Sequence, residues 1–274
     1  MIRTIGNRAH DFGKCSASEL ARRISEKKLE SIQLALFKAI EDLDPSVPIK
    51  IEQLMQIKSE MDKENIKIAV LGCYLNYGHL NENIRKKNIQ VFKEHIDYAK
   101  ILGARVVGTE TGAFRDDFKF HPWNHSEEAY QLVKTSLMEM VNYAEEKKVD
   151  IAIEPVADHI INTLQKLRRL LDEIDSKRIK VIFDPVNVLT YENHHEQQKI
   201  MDKAFSLFKD ELLIVHAKGY KCNGEDIVEV PPDLGDLDYG HLVELIKSSP
   251  QEIDILLENV KPEKLYKNIK YILG

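Results

Sequence analysis

Four short apolar runs in the second half of the chain each stop at a residue type that can bind a metal ion. The runs cover residues 151–153, 181–183, 213–215 and 255–257, and the residues that follow them are Glu154, Asp184, His216 and Glu258. Taken singly, such a carboxylate could form an ion pair or cap a helix, and such a histidine could be an ordinary core residue. Three carboxylates gathered in one place would repel one another unless a cation lay among them.

The residue types also indicate which cation this would be. Carboxylate oxygens combined with an imidazole nitrogen suit Mn²⁺, Zn²⁺, Co²⁺ or Fe²⁺ and disfavour Ca²⁺, which prefers oxygen ligands alone. The sequence does not choose among these four metals. It predicts one divalent ion between Glu154, Asp184, His216 and Glu258, provided that the fold brings the four strand ends together.

The pattern of the whole chain favours such a fold. Short apolar runs alternate with longer segments of helical periodicity, which indicates repeated βα units and a parallel sheet. Strands are predicted over residues 3–9, 32–37, 66–71, 105–108, 150–153, 179–183, 212–215 and 253–257, with a helix after each. Eight units in 274 residues, about 34 residues each, predict a single α/β (β/α)₈ barrel domain over residues 1–274. Barrel active sites lie where the strands end, so the four residues are expected to converge.

A doubly wound open sheet is the structural alternative. It would normally carry a glycine-rich turn after its first strand, and residues 10–16 contain no such turn.

Further residues at the same rim are candidates for binding a substrate. His10, His79 and Glu110 stand at the predicted ends of the first, third and fourth strands. Lys218 follows His216 by two positions, so in a strand its side chain points to the same side. There it could bind a phosphate or polarise a carbonyl group, and the alternative is a solvated surface lysine.

Composition limits the class of protein. The 39 Lys and Arg residues against 45 Asp and Glu residues give a net charge of −6, which argues against nucleic acid as a partner. Cys15, Cys73 and Cys222 are too few and too widely spaced for a disulfide framework, which is typical of reduced thiols in the cytoplasm. No apolar run approaches membrane-spanning length, so no membrane association is expected. A homo-oligomer is compatible with the sequence.

At the strand-end residues the chain resembles the xylose isomerase-like barrel superfamily, in particular its sugar-phosphate isomerase/epimerase branch. The resemblance runs over most of the chain and is carried by residues 83–85, 101–104, 153–154, 183–187, 215–218 and 257–258. It implies a small carbohydrate substrate, a ketose or related α-hydroxy ketone, whose adjacent oxygens are held by the metal. The metal would then stabilise the enediolate that forms when a neighbouring C–H proton is lost.

The resemblance also implies individual roles. Glu154 and Glu258 would stand on opposite faces of the substrate and serve as base and acid, while Asp184 and His216 would chiefly be ligands. Asn187 occupies a position where many relatives have a substrate-contacting histidine, so it is a candidate substrate-binding residue. Relatives that epimerise ketoses carry an arginine after the strand-seven histidine and a glutamate after the strand-five glutamate, and residues 219–222 and 156–159 lack them here. The resemblance therefore does not name the substrate.

Three other functions share this pattern. A dehydratase of an inosose-like substrate would use the same metal site. An endonuclease IV-like abasic-site nuclease would need extra histidines for three metals, but Asn187 replaces one of them and residues 233–239 contain no Asp-x-His pair. A non-catalytic sugar-binding barrel would not need two opposed glutamates. The sequence thus predicts a metal-dependent isomerase or epimerase acting on a small sugar, a sugar phosphate or a related α-hydroxy ketone.

Overall fold

A computed structural model describes residues 1–274, and eight of its strands close into a parallel barrel. The barrel strands are β1 (Ile2–Arg8), β2 (Ser31–Leu34), β3 (Lys67–Gly72), β4 (Val106–Thr109), β5 (Ile151–Ile153), β6 (Ile179–Phe183), β7 (Leu212–Ala217) and β10 (Ile253–Leu257). Each strand pairs with the next barrel strand along the chain, and β10 closes the ring on β1. The predicted (β/α)₈ barrel is confirmed.

The helices follow the barrel strands along the chain. They are α1 (Ala17–Glu26), α2 (Leu36–Ala39), α3 (Ile51–Lys63), α4 (Glu82–Leu102), α5 (Glu127–Lys147), α6 (Leu164–Ile174), α7 (Gln197–Leu207), α8 (Tyr239–Ser248) and α9 (Leu265–Leu273). Side-chain caps fix several starts: the Ser126 hydroxyl, for example, accepts the Ala129 N–H at the start of α5. None of the nine helices combines the length and the apolar character needed to cross a membrane.

The barrel interior explains where the strand-end side chains point. A small apolar cluster contains Ala152, Ile182, Ile214 and Leu256, separate from the larger core that includes residues of the surrounding helices. Successive side chains of a strand alternate between its two faces, so residues two positions further on face the same way. Those residues are Glu154, Asp184, His216 and Glu258. Each therefore continues an inward-facing row to the rim of the barrel.

Two local features differ from the sequence prediction. Strand β2 ends at Leu34 instead of continuing to Phe37, because the chain turns into the short helix α2. The long loop expected after the seventh strand contains an antiparallel hairpin, β8 (Gly219–Asn223) and β9 (Asp226–Val230). A Cβ atom on Gly219 would lie 2.9 Å from the Gly235 Cα, so only glycine allows the base of the hairpin to pack this closely against the following loop.

Candidate metal centre

The register of the sheet brings the four strand-end residues to one point. Phe183 pairs with Val215, so the next residues, Asp184 and His216, lie side by side. One ligand atom each from Glu154, Asp184 and His216 lies within 4.8 Å of the other two, and all three residues are buried. The expected convergence of distant strand ends is therefore present.

Glu258 joins this cluster through the imidazole. The His216 Nδ1 atom lies 3.2 Å from Glu154 Oε1 and 3.6 Å from Glu258 Oε1. Glu258 is 8% exposed, the most accessible of the four. Both glutamates thus approach the same ring nitrogen, and Glu258 lies nearest to solvent.

Some polar atoms of the cluster have no hydrogen-bond partner within the protein. Asp184 Oδ1 accepts the backbone N–H of Val186 at 2.8 Å and that of Asn187 at 3.4 Å, which orients the carboxylate. Its Oδ2 atom is buried and accepts no hydrogen bond, and His216 Nε2 is likewise buried without a partner. Unpaired buried polar atoms are costly, and carboxylate oxygens with an imidazole nitrogen are the donor set of first-row divalent metals. The residues present therefore fit one divalent ion.

Two cationic side chains stand beside the cluster. Lys218 Nζ lies 3.3 Å from Asp184 Oδ2 and 3.8 Å from Glu258 Oε2, and the Arg8 Nη1 atom is 3.7 Å from Glu258 Oε2. Lys218 also donates hydrogen bonds to Asn187 Oδ1 at 2.6 Å and to Glu229 Oε1 at 2.5 Å. These cations offset part of the repulsion among the carboxylates.

The pKa values show how strongly the four groups influence one another. Burial raises the pKa of Asp184 to about 7, although the Lys218 ammonium opposes the rise. Burial alone would lower the pKa of His216, but the charges of Glu154 and Glu258 raise it to about 9. Burial would raise the pKa of Glu258, yet the positive charges of His216, Lys218 and Arg8 lower it. At neutral pH the protein alone holds a proton on His216, which a metal ion would have to displace.

A cavity of about 470 Å³ opens above the cluster and contains most of the other candidates. His10, Glu110, Asn187 and Lys218 line it. Asn187 is closest to the cluster, because its amide N–H donates to Glu154 Oε1 at 2.7 Å. Lys218 is buried in this network and is not the solvated lysine of the alternative interpretation.

His79 is the predicted rim residue that the structure does not bring to the cavity. It lies seven residues beyond the end of β3 and is absent from the cavity lining. Its Nε2 atom lies 3.1 Å from Asp116 Oδ1, and its Nδ1 atom accepts the Asn81 N–H at 2.9 Å. These contacts give the ring a structural role at the start of α4.

The sequence did not identify five further polar residues of the lining: Arg8, Gln33, Lys38, Tyr74 and Glu229. Arg8 ends β1 two positions after the inward Gly6, so the rule that identified Glu154 could have found it. Tyr74 reaches the cavity from the loop after β3, where its hydroxyl accepts a hydrogen bond from Gln33 at 3.0 Å. Glu229 lies in the hairpin, which no local pattern indicated.

Glu110 differs from Glu258 in the direction of its pKa shift. Burial and the nearby charge of Glu154 raise its pKa to about 8. A carboxylic acid that stays protonated at neutral pH can donate a hydrogen bond, which an ionised carboxylate cannot. The cavity therefore contains both ionised and protonated carboxyl groups.

Comparisons with known proteins agree with this architecture. The family model described as xylose isomerase-like TIM barrel matches residues 21–272. A comparison with curated proteins finds no match. Among solved structures, a D-tagatose 3-epimerase-like protein superposes with a TM-score of 0.75, 19% identity and 98% of both chains covered. The apo form of 3-keto-D-glucoside 4-epimerase from E. coli gives 0.73, 16% and 98% of both chains.

A third solved structure, of the IOLI protein, contains a bound zinc atom. It has a TM-score of 0.70 and 17% identity, and the match covers 98% of this chain and 95% of that chain. At these identities the likeness establishes the barrel fold.

Proposed function

Because this chain belongs to the xylose isomerase-like TIM barrel family, we propose that it is a divalent-metal-dependent isomerase or epimerase of a small sugar or related α-hydroxy ketone. The observation that carries the proposal is the pair of buried glutamates at the base of one cavity. Glu154 and Glu258 approach the same nitrogen of His216, at 3.2 Å and 3.6 Å, from two different strands. Two carboxyl groups in one site can remove a proton and return one.

The metal would be held by Glu154, Asp184, His216 and Glu258. When bound, a divalent ion of the Mn²⁺, Zn²⁺, Co²⁺ or Fe²⁺ type supplies Lewis acidity toward adjacent carbonyl and hydroxyl oxygens. The solved relative with a zinc atom supports a metal of this type.

The protein's own groups account for the proton transfers. Glu258 is the better candidate for the base, since His216, Lys218 and Arg8 lower its pKa and keep it ionised. Glu154 would act as the partner acid, oriented by the Asn187 amide that donates to its Oε1 atom. One carboxylate would remove a proton from one face of the substrate, and the other would return a proton to the opposite face. This exchange inverts the configuration at that carbon.

Other cavity residues would bind the substrate. Glu110, protonated at neutral pH, would donate a hydrogen bond to a substrate oxygen. Lys218 lies between Asp184, Glu229 and Asn187, where its charge would stabilise negative charge that develops on a substrate oxygen. His10 borders the same cavity, and its buried Nδ1 atom lacks a hydrogen-bond partner.

Solvent-proton exchange tests the proposal directly. The Mn²⁺-loaded protein is incubated in D₂O with ketoses, ketose phosphates, hydroxypyruvate and inososes, and the products are analysed by mass spectrometry and NMR. We expect deuterium at the carbon next to a carbonyl, unchanged substrate mass apart from deuterium, and loss of exchange with EDTA. A product lighter by one water would assign the same site to the dehydratase alternative, and absence of exchange on every substrate would contradict proton abstraction.

A further inference from the structure

A second cavity adjoins the one above the carboxylate cluster. It has a volume of about 550 Å³, and it shares Val156, Asn187 and Glu229 with the first cavity of about 470 Å³. Each volume by itself lies in the range of a small-molecule site. The two cavities are therefore neighbours that share part of their walls. We call the second cavity the outer cleft.

The walls of the outer cleft expose aromatic rings. Phe120 comes from the loop between β4 and α5 and is 50% exposed, and Tyr191 comes from the loop between β6 and α7 and is 42% exposed. Leu189 and Ile227 add apolar surface. Flat aromatic faces beside a polar cavity suit the C–H faces of a sugar ring, because they bury apolar area without hiding hydroxyl groups.

The charge of the outer cleft restricts the ligand further. Five carboxylates line it, and no lysine or arginine does: Asp158, Glu192, Glu225, Asp226 and Glu229. Glu229 pairs with Lys218 and accepts the Asn259 amide at 3.0 Å, whereas the other four form no salt bridge. Ionised carboxylates only accept hydrogen bonds, so they favour a ligand rich in hydroxyl donors. A wall of one sign of charge repels a phosphate or carboxylate group.

The first cavity differs in that cationic side chains line it beside its four glutamates, Glu110, Glu154, Glu229 and Glu258. Arg8, Lys38 and Lys218 line it, and Lys38 forms no salt bridge. An anionic group of a substrate would therefore be accommodated near Lys38 and would be excluded from the outer cleft. The two neighbouring cavities therefore differ in what they can bind.

We propose that the outer cleft is a second subsite, which binds an uncharged sugar ring attached to the sugar that reacts at the carboxylate cluster. The preferred substrate is then a glycoside with two units instead of a free monosaccharide or a sugar phosphate. This inference rests on the proposed function for the identity of the reacting unit. It goes beyond that function in assigning the second unit and the residues that select it.

Binding measurements test the subsite without requiring turnover. Saturation-transfer NMR and calorimetry on the Mn²⁺-loaded protein compare a panel of monosaccharides, their 6-phosphates and disaccharides that contain the same monosaccharides. We expect at least one disaccharide to bind about tenfold more tightly than its component monosaccharide, and the phosphates to gain nothing in the outer cleft. The proposal is overturned if every disaccharide binds within twofold of its monosaccharide.

Substitutions test whether the tighter binding of the disaccharide depends on the aromatic rings of the outer cleft. Tyr191→Ala and Phe120→Ala should each weaken disaccharide binding about tenfold and leave monosaccharide binding unchanged, because both rings lie outside the first cavity. Tyr266→Ala removes a tyrosine that is 81% exposed on α9 and serves as the matched control with no effect. An equal loss of monosaccharide and disaccharide binding in the two variants would overturn the assignment.

The same experiments separate this inference from the proposed function. Disaccharide binding that depends on Tyr191, without deuterium exchange on any sugar, supports the subsite and contradicts the isomerase proposal. Exchange on monosaccharides with no gain from a second ring supports the isomerase proposal and contradicts the subsite.

Discussion

Strand β10 carries two buried carboxylates at its opposite ends, and their surroundings differ completely. Asp254 lies near the start of the strand and Glu258 directly follows its last residue. They are four positions apart, about 13 Å along the strand, and face the same side. One lies at the bottom of the barrel and the other at the rim that contains the cavity.

The bottom carboxylate is fully paired. Asp254 Oδ2 accepts hydrogen bonds from Arg3 Nη1 at 2.8 Å and Arg105 Nη1 at 2.6 Å, and Oδ1 accepts the Thr4 hydroxyl. The three partners come from β1 and from the residue before β4, so the cluster joins distant parts of the ring. This arrangement satisfies the charge internally.

By comparison, the hydrogen bonding of the rim cluster is incomplete. Glu154, Asp184 and Glu258 lie around His216, and Asp184 Oδ2 is buried without a hydrogen bond. A purely structural site is expected to show the complete pairing seen at Asp254, because buried polar groups are normally hydrogen-bonded. The difference indicates that Asp254 stabilises the fold through its partners, whereas Asp184 Oδ2 and His216 Nε2, which have no hydrogen-bond partner, could bind a metal ion.

The largest expected effect is on turnover at the rim. Glu258→Gln or Glu154→Gln should lower kcat about 10³-fold, because an amide cannot take up or release the proton. Thermal stability should change little, since the amide keeps the shape of the carboxylate. Steady-state kinetics and thermal unfolding measure both. Glu26→Gln, an exposed glutamate on α1, is the matched control, and a variant at the rim that retains more than a tenth of the activity would contradict the assigned roles.

At the bottom of the barrel the effect should fall on stability. Asp254→Asn should lower the free energy of unfolding by about 3–5 kcal/mol, because Arg3 and Arg105 lose the charge that compensates them. That loss corresponds to a fall in Tm of roughly 10 °C. At a temperature where the variant is folded, kcat should stay within about twofold of the original value. Asp184→Asn is the comparison at the rim: it should destabilise the metal-free protein less than Asp254→Asn does, because Lys218 keeps Glu229 as a partner. Equal destabilisation by both variants would remove the distinction.

The effects of metal and pH on thermal stability should arise from the rim cluster. The pKa values of His216 and Asp184 are raised to about 9 and about 7, so their favourable contributions are present at low pH and are lost as pH rises through those values. The metal-free Tm should therefore fall between pH 6.5 and 8.5. Over the same interval Mn²⁺ competes with fewer protons, so the Tm gained by adding it should grow.

Thermal shift with EDTA or Mn²⁺ at the two pH values measures this effect. At a Mn²⁺ concentration of 100 times its Kd the stabilisation should be about 2.7 kcal/mol. Asp184→Asn should abolish most of the shift, and an unchanged shift in that variant would place the ion elsewhere.

The smallest effect is expected for charges that belong to neither cluster. Arg22 on α1 pairs with Glu26 at the protein surface, where both side chains are more than half exposed. Glu26→Gln should change the free energy of unfolding by less than about 0.5 kcal/mol, since water screens the pair. Chemical denaturation measures it, and a cost above 1 kcal/mol would mean that burial does not explain the contrast between these ion pairs.

Much of the rim could be predicted because its signals are local. Each of Glu154, Asp184, His216 and Glu258 directly follows a short apolar run, and the period of two in a strand fixes the side on which it lies. The alternation of strand and helix patterns then determined the barrel, and the barrel requires that strand ends meet. His79 shows the limit of this argument, because the chain runs seven residues beyond β3 before reaching it.

The remaining features depend on contacts between residues far apart in sequence. In the sequence, nothing distinguishes Asp254 from other charged residues of the predicted strands. Its pairing with Arg3 and Arg105 becomes visible only in the closed barrel. The same holds for Glu229, which a hairpin carries to Lys218, and for Asn187, which links Lys218 to Glu154. The sequence by itself determined which residue types stand at the rim, since strand periodicity acts over a few residues. The tertiary structure decided which of them are paired and which stay open to a ligand, because pairing is set by the register and closure of the whole barrel.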